Sequence, residues 1–94
     1  MIHRLFQIVI DRKLNPQPGS YTNALLDSGR DRIAQKVGEE AIEVVIASGG
    51  QGKQRLIEET ADLIYHLWVL LISNDISLAK VEAELRRRHQ PEAE

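Results

Sequence analysis

Apolar residues along this chain recur every three or four positions, which is the spacing of an amphipathic α-helix. The first run includes Ile2, Leu5, Phe6 and Val9, and it stops at residues 15–19, where two prolines and a glycine break the pattern. No stretch shows the sustained alternation of a half-buried strand. The pattern therefore predicts an all-α protein whose first helix closes before this loop.

Capping residues predict where the next helices begin and end. Ser20 is placed to cap a short helix that ends near Gly29. A long amphipathic run follows Asp31 and is closed by Gly49 and Gly50, since glycine readily adopts the left-handed conformation found at helix ends. This run is the first of two long helices.

The second long helix is predicted over about residues 53–73 and ends at Asn74. Ser77 is the expected N-cap of a last helix. Because the two long helices are joined by a short connection, we expect them to be antiparallel neighbours. Four to five helices in all are expected.

Both long helices carry two adjacent glutamates followed three residues later by a third carboxylate. The first helix has Glu39, Glu40 and Glu43, and the second has Glu58, Glu59 and Asp62, each 19 residues after its counterpart. Residues three and four apart share a helix face, so these like charges repel one another. The repeat therefore favours a bound positive charge, most simply a pair of divalent cations.

A helical wheel, which turns by about 100° per residue, separates these carboxylates. Glu40 falls inside the apolar stripe of its helix, Glu39 lies further out, and Glu58 points to the far side of the second helix. The converging set is Glu40, Glu43, Glu59 and Asp62. Four carboxylates are hard oxygen ligands, which suit magnesium or manganese and a phosphate-transfer or hydrolysis reaction.

A solvated surface and a di-iron bundle are the alternatives to a magnesium site. A single acidic run is usually a solvated surface, although two matched copies favour a site. A di-iron carboxylate bundle needs a Glu-x-x-His motif on each of two helices, and His66 follows Asp62 by four, so that motif is missing. The absence of cysteine excludes thiolate metal sites and cysteine nucleophiles.

Several neighbours of the acidic residues are candidates for substrate binding. Lys36, four residues before Glu40, either contacts substrate phosphate or forms an ordinary helix ion pair. Tyr65 and His66 are candidates for binding a nucleotide or ribose, while a hydrogen-bonded histidine at the core boundary is the alternative for His66. Trp68 is expected in the core.

Length and composition predict one domain over residues 1–90 and a frayed tail at 91–94. A short chain with broad apolar stripes is expected to cover part of them with a partner subunit. A net charge of -2 gives no reason to expect nucleic acid, and the longest apolar stretch, residues 63–72, is too short to span a membrane. Without cysteine or a signal peptide, the expected compartment is the cytoplasm.

The acidic repeat resembles the E-E-x-x-E … E-x-x-D signature of the all-alpha nucleoside-triphosphate pyrophosphohydrolase superfamily, which has the MazG-like fold. Within that superfamily, the chain resembles the phosphoribosyl-ATP pyrophosphohydrolase family of histidine biosynthesis from about Leu5 to His89. The more specific matching segments are residues 19–22, 33–40, 61–67 and 85–89. The chain looks like a free-standing version, without the cyclohydrolase domain fused to it in some relatives.

The resemblance implies a MazG-like helical bundle whose core is completed by oligomerisation, as a homodimer or higher homo-oligomer. It implies hydrolysis of 1-(5-phospho-β-D-ribosyl)-ATP to the corresponding AMP and pyrophosphate, with Mg²⁺ as cofactor and Mn²⁺ as a substitute. A house-cleaning pyrophosphohydrolase acting on dUTP or damaged nucleotides, and a non-enzymatic helical interaction module, are the alternatives.

The resemblance also implies roles for individual residues. The metal ligands would be Glu40, Glu43, Glu59 and Asp62. Glu39 would orient or deprotonate the attacking water, acting with Glu40 in catalysis, and Lys36 would bind phosphate. The loop-to-helix residues Ser20, Tyr21 and Thr22 would contribute amides and hydroxyls to substrate, although an N-cap role explains Ser20 equally well.

Overall fold

The computed structural model describes residues 1–90, and within that range the chain forms five α-helices and no strand. The helices are α1 (Ile2–Leu14), α2 (Tyr21–Asp27), α3 (Arg30–Ser48), α4 (Lys53–Ser73) and α5 (Leu78–Arg88). The prediction of an all-α bundle of four to five helices is confirmed. The expected frayed tail at 91–94 lies outside the described residues.

Both predicted serine caps are present. The Ser20 hydroxyl accepts the Asn23 N–H at 3.2 Å at the start of α2. The Ser77 hydroxyl accepts the Lys80 N–H at 3.3 Å at the start of α5. Each bond satisfies one of the N–H groups that the first turn of a helix leaves unpaired.

The start of α3 differs slightly from the expectation. Its N-cap is Gly29, so the helix begins at Arg30, before Asp31. Gly29 has φ +94°, a conformation that glycine adopts without the clash that a Cβ would create. This glycine lets the chain turn directly from α2 into α3.

The core lies where α1, α2 and α3 meet α4. Its buried apolar side chains are Phe6, Val9, Leu25, Ile33, Val69 and Ile72. Burying a side chain of this kind contributes about 1.5–3 kcal/mol. Trp68 packs against this cluster as expected: its ring meets Phe6 edge-on at 5.8 Å, and its Nε1 donates to the Ile2 carbonyl at 3.0 Å.

The two long helices form an antiparallel hairpin around residues 49–52, and their mutual contact is the most extensive between any two helices of residues 1–90. The outer face of this hairpin is apolar and exposed, with Ile42 and Val45 more than half accessible. Ile46 on α3 and Ile57 on α4 are further exposed apolar side chains of the hairpin. None of the five described helices is both long and apolar enough to cross a membrane.

Candidate metal centre

Three carboxylates from the two helices of the hairpin converge on one point. Glu40 comes from α3, while Glu59 and Asp62 lie three residues apart on α4. One carboxylate oxygen from each lies within 4.8 Å of the others. We call these three residues the carboxylate cluster. Hard oxygen donors at this spacing fit a divalent cation such as Mg²⁺, which needs one or two carboxylates and completes its shell with water and phosphate.

The members of the cluster differ in exposure. The Glu59 side chain is only 4% exposed and the Glu40 side chain 14%, whereas Asp62 is open to solvent. The helical wheel puts Glu40 inside the apolar stripe of its helix and Glu59 only at the border of the stripe on the second long helix, so it predicts that Glu40 is the deeper of the two. The order is reversed because α4 is the central helix, contacting α1, α2 and α3, so even the border of its apolar stripe is covered.

Each of the two less exposed carboxylates has a basic partner one turn earlier on its own helix. Lys36 Nζ lies 3.5 Å from Glu40 Oε1, and the Arg55 guanidinium pairs with Glu59. A buried carboxylate needs such a partner, since an isolated charge is strongly disfavoured away from water. The Lys36 ion pair, one of the two roles considered for this residue, is therefore present.

Arg55 is a site residue that reasoning from the sequence missed. The signal was available, because the 19-residue repeat that relates Glu40 to Glu59 also relates Lys36 to Arg55. Both helices thus have a basic residue four positions before the inner glutamate. The repeat is basic as well as acidic.

The remaining acidic residues lie outside the cluster. Glu43 is exposed on α3, and its assignment as a fourth metal ligand stays a prediction. Glu39 is exposed and is held by Arg32 Nη1 at 3.5 Å and by Gln35 Nε2 at 3.3 Å. Glu58 is exposed, as the wheel predicted, and bonds to groups on its own helix.

The helix α2 is tied to α4 beside Asp62 through His66. The His66 side chain is buried, and its Nδ1 donates to the Asp62 carbonyl at 2.7 Å. Its Nε2 therefore accepts from the Tyr21 hydroxyl at 3.3 Å. Both ring nitrogens are used, so the hydrogen-bonded core-boundary role considered for His66 is present, and the substrate-binding role stays a prediction.

Tyr65 forms a second link between these helices. Its hydroxyl is hydrogen-bonded to the Thr22 hydroxyl, and its ring lies 6.3 Å from that of Tyr21. Partial burial raises the pKa of Tyr65 above its ordinary value, which outweighs the lowering by the Thr22 bond. The phenol thus remains protonated at neutral pH. Tyr21 and Thr22 lie beside Tyr65 and His66, which is necessary if the four residues bind one substrate. Their role in binding substrate stays a prediction.

Comparisons with known proteins agree over nearly the whole chain. The family profile described as phosphoribosyl-ATP pyrophosphohydrolase matches residues 2–89. The phosphoribosyl-ATP pyrophosphatase of Streptococcus thermophilus is 50% identical over 88 residues, which cover 94% of this chain and 85% of that protein. That of Sulfurisphaera tokodaii is 48% identical over 88 residues, 94% of each chain.

A histidine biosynthesis bifunctional protein of Caldanaerobacter subterraneus is 48% identical over 90 residues, 96% of this chain. The match spans only 44% of that longer protein. Family match, helical architecture and carboxylate cluster all agree with the resemblance seen in the sequence. The chain belongs to the phosphoribosyl-ATP pyrophosphohydrolase family.

Proposed function

We propose that this protein hydrolyses 1-(5-phospho-β-D-ribosyl)-ATP to 1-(5-phospho-β-D-ribosyl)-AMP and pyrophosphate, the second step of L-histidine biosynthesis. The observation that carries this proposal is the family match over residues 2–89, within which the carboxylate cluster lies. A hydrolase of a phosphoric anhydride needs a way to balance the charge of its triphosphate, and the cluster is suited to holding the cation that does so.

The proposed cofactor is Mg²⁺, with Mn²⁺ as a substitute. Glu40, Glu59 and Asp62 would hold it, and Glu43, one turn beyond Glu40, is the proposed fourth ligand. When bound, such a cation neutralises phosphate charge and lowers the pKa of coordinated water. Oxygen ligands and the absence of cysteine support a hard cation of this kind.

The chain's own side chains would place the water and the substrate. Glu39 is the proposed group that orients or deprotonates the attacking water, since it adjoins Glu40 in the sequence and its exposed carboxylate is held by Arg32 and Gln35. Lys36 would exchange its ion pair with Glu40 for a substrate phosphate. The proposed nucleotide- and ribose-binding residues are Ser20, Tyr21, Thr22, Tyr65 and His66.

We further propose a homodimer or higher homo-oligomer in the cytoplasm, with no nucleic-acid partner. The exposed apolar outer face of the α3–α4 hairpin supports a second copy of this chain as the occupant. The net charge of -2 supports the absence of nucleic acid.

The substrate is tested by pyrophosphate release from phosphoribosyl-ATP, dUTP and ATP, compared side by side in Mg²⁺. We expect phosphoribosyl-ATP to be strongly preferred. Preference for dUTP would point to a house-cleaning enzyme and contradict the proposed substrate. No release from any triphosphate, together with no Mg²⁺ binding by calorimetry, would indicate a non-enzymatic helical module.

The cluster is tested by Glu40→Gln and Asp62→Asn. We expect each to lower Mg²⁺-dependent pyrophosphate release by at least about 100-fold, the scale seen when a principal electrostatic group of an active site is removed. Glu58→Gln is the matched control, because Glu58 adjoins Glu59 but is exposed and points away from the cluster. Near-normal release by a folded Glu40→Gln variant would show that the metal assignment is wrong.

A further inference from the structure

A small cavity of about 170 Å³ lies between α2 and α3, next to the carboxylate cluster. Its lining residues are Tyr21, Ala24, Leu25, Ser28, Arg32 and Lys36. Lys36 lines the cavity and also contacts the carboxylate cluster, since its ammonium lies 3.5 Å from Glu40. The cavity therefore adjoins the proposed metal site through Lys36.

Two cations enter this cavity from one face of α3. Arg32 and Lys36 are four residues apart and so lie above one another on the helix. Both reach toward the C-terminal end of α3, where Arg32 Nη1 approaches Glu39 and Lys36 Nζ approaches Glu40, each at 3.5 Å. The cavity wall thus carries two basic side chains, each paired with a carboxylate, as far as the edge of the carboxylate cluster.

The ion pair of Arg32 leaves its guanidinium free to bind another anion. About half of the Arg32 side chain and of the Glu39 side chain is exposed, and exposed pairs of this kind contribute little to stability. A doubly charged phosphate competes well for such a group, because the planar guanidinium can donate to two of its oxygens at once. Arg32 is therefore available to substrate.

The size of the cavity limits what it can hold. Pockets that enclose a whole ligand are usually about 300–1,000 Å³, so this one suits only a part of a nucleotide. The Ser28 hydroxyl already donates to the Leu25 carbonyl at 2.6 Å, and the Tyr21 hydroxyl donates to His66 Nε2 at 3.3 Å, which leaves the two cations as the main recognition groups. Their chemistry selects phosphate over base or sugar.

We infer that Arg32, together with Lys36, binds the two phosphates of the triphosphate that leave as pyrophosphate. The inference rests on the proposed function and extends it to Arg32, which so far was described only as the partner that holds Glu39. The pyrophosphate is favoured over a distant phosphoribosyl group because the Arg32 guanidinium reaches Glu39, the neighbour of Glu40. The leaving phosphates would lie along α3, from the carboxylate cluster toward Arg32.

The test compares Arg32→Gln, Arg32→Lys and the wild type in two measurements. Calorimetry gives the dissociation constant of pyrophosphate in saturating Mg²⁺, and steady-state kinetics gives kcat/KM for phosphoribosyl-ATP. We expect Arg32→Gln to weaken pyrophosphate binding about 10- to 100-fold and to lower kcat/KM by a similar factor, the range for losing charge-assisted hydrogen bonds. Arg32→Lys should have an intermediate effect on both quantities, since lysine keeps the positive charge but lacks the planar guanidinium that donates to two oxygens at once.

Arg30→Gln is the matched control. Arg30 is also an exposed arginine in the first turns of α3, but it lines a different cavity with Lys13 and Asp27. We expect its pyrophosphate affinity and kcat/KM to equal those of the wild type. Equal losses in Arg30→Gln and Arg32→Gln would show that the effect comes from net charge alone and would overturn the inference.

The remaining outcomes separate this inference from the proposed function. If the wild type hydrolyses phosphoribosyl-ATP and Arg32→Gln binds pyrophosphate normally, the inference is wrong and the function stands. A lower kcat/KM with unchanged pyrophosphate affinity would mean that Arg32 acts on another part of the substrate or only by holding Glu39, and either would overturn the inference. If the wild type fails to hydrolyse phosphoribosyl-ATP, the proposed function is wrong, and the pyrophosphate titration still decides whether Arg32 binds that anion.

Discussion

Glu59 shows how a charged carboxylate is accommodated in a nearly buried position. Its side chain is 4% exposed, and its partner is the guanidinium of Arg55, which is half exposed. Removing one partner of such a pair leaves the other charge without compensation. A divalent cation bound by Glu59 would also balance the negative charge of its carboxylate. Arg55 and the cation would therefore have the same stabilising effect on Glu59.

We therefore predict that Arg55→Gln destabilises the protein most when no divalent cation is present. In chelator the free energy of unfolding should fall by about 1–2 kcal/mol, less than the 3–5 kcal/mol of a fully buried pair, because Arg55 is partly solvated. Saturating Mg²⁺ should recover part of the loss, since the ion stabilises the folded state that binds it. Thermal melts in chelator and in Mg²⁺ measure both quantities.

Arg87→Gln controls for the loss of any helix ion pair. Arg87 pairs with Glu84 on α5, where both side chains are exposed, so we expect a small effect that does not respond to Mg²⁺. If Arg55→Gln behaved in the same way, Arg55 would not be the counter-charge of Glu59.

Reasoning from single residues predicted the three carboxylates that converge but not how far each side chain reaches. The wheel selected Glu40, Glu59 and Asp62, and these three meet. It also selected Glu43, which is not among these three and whose role as a ligand stays a prediction, since an angle around the helix axis says nothing about distance to the neighbouring helix. The wheel did not consider Arg55, although the repeat relates it to Lys36, and the burial of Glu59 is what shows its importance.

At the scale of the element, helix ends were predictable where the signal is local. Ser20 and Ser77 cap α2 and α5 through their own side chains, so the residue type alone was enough. The start of α3 was not predictable from residue type, because it depends on the positive φ of Gly29 rather than on a capping side chain. A glycine in the sequence indicates that many backbone conformations are allowed, but it does not indicate which of them the fold adopts.

The two caps provide a matched pair that separates stability from substrate binding. We predict that Ser20→Ala and Ser77→Ala each lower the free energy of unfolding by about 1 kcal/mol, the usual value of an N-cap. Only Ser20→Ala should also raise KM for phosphoribosyl-ATP, because Ser20 precedes Tyr21 and Thr22 in the proposed substrate-binding segment. Denaturant unfolding and steady-state kinetics on both variants measure the two effects.

A rise in KM of similar size in both variants would assign the effect to general loss of stability. An unchanged KM in Ser20→Ala would leave Ser20 with the capping role alone.

At the scale of the whole molecule, the outer face of the hairpin is an apolar surface that a single chain leaves exposed to water. Ile42, Val45 and Ile57 are each more than 60% exposed there. Charge on this face should therefore prevent self-association without harming the core. We predict that Val45→Glu shifts the protein from oligomer toward monomer, as measured by sedimentation velocity, with its helical circular dichroism retained.

Leu85→Glu is the control for this experiment. Leu85 is also an exposed apolar residue, 54% accessible, but it lies on α5, outside the hairpin. A monomeric wild type would contradict the proposed oligomer, and an unchanged oligomer in Val45→Glu would place its interface elsewhere.

The order of the helices and the pairing of the long ones followed from the sequence, because short connections restrict neighbours. The central position of α4 did not, since it depends on contacts with α1 and α2 that are distant in the chain. The same missing information explains why Glu59 is more buried than the wheel indicated.

The hairpin connection has a consequence for how the protein folds. Glu40, Glu59 and Asp62 all lie on two helices joined by a connection over residues 49–52, so only a short loop must close to bring them together. Contacts that are local in sequence form quickly, because little chain entropy is lost before they are made. The carboxylate cluster is therefore placed in the part of the chain best suited to assemble early, and its repulsion must be overcome at that stage. A cation that binds the nascent hairpin would then act on the rate of folding as well as on the reaction.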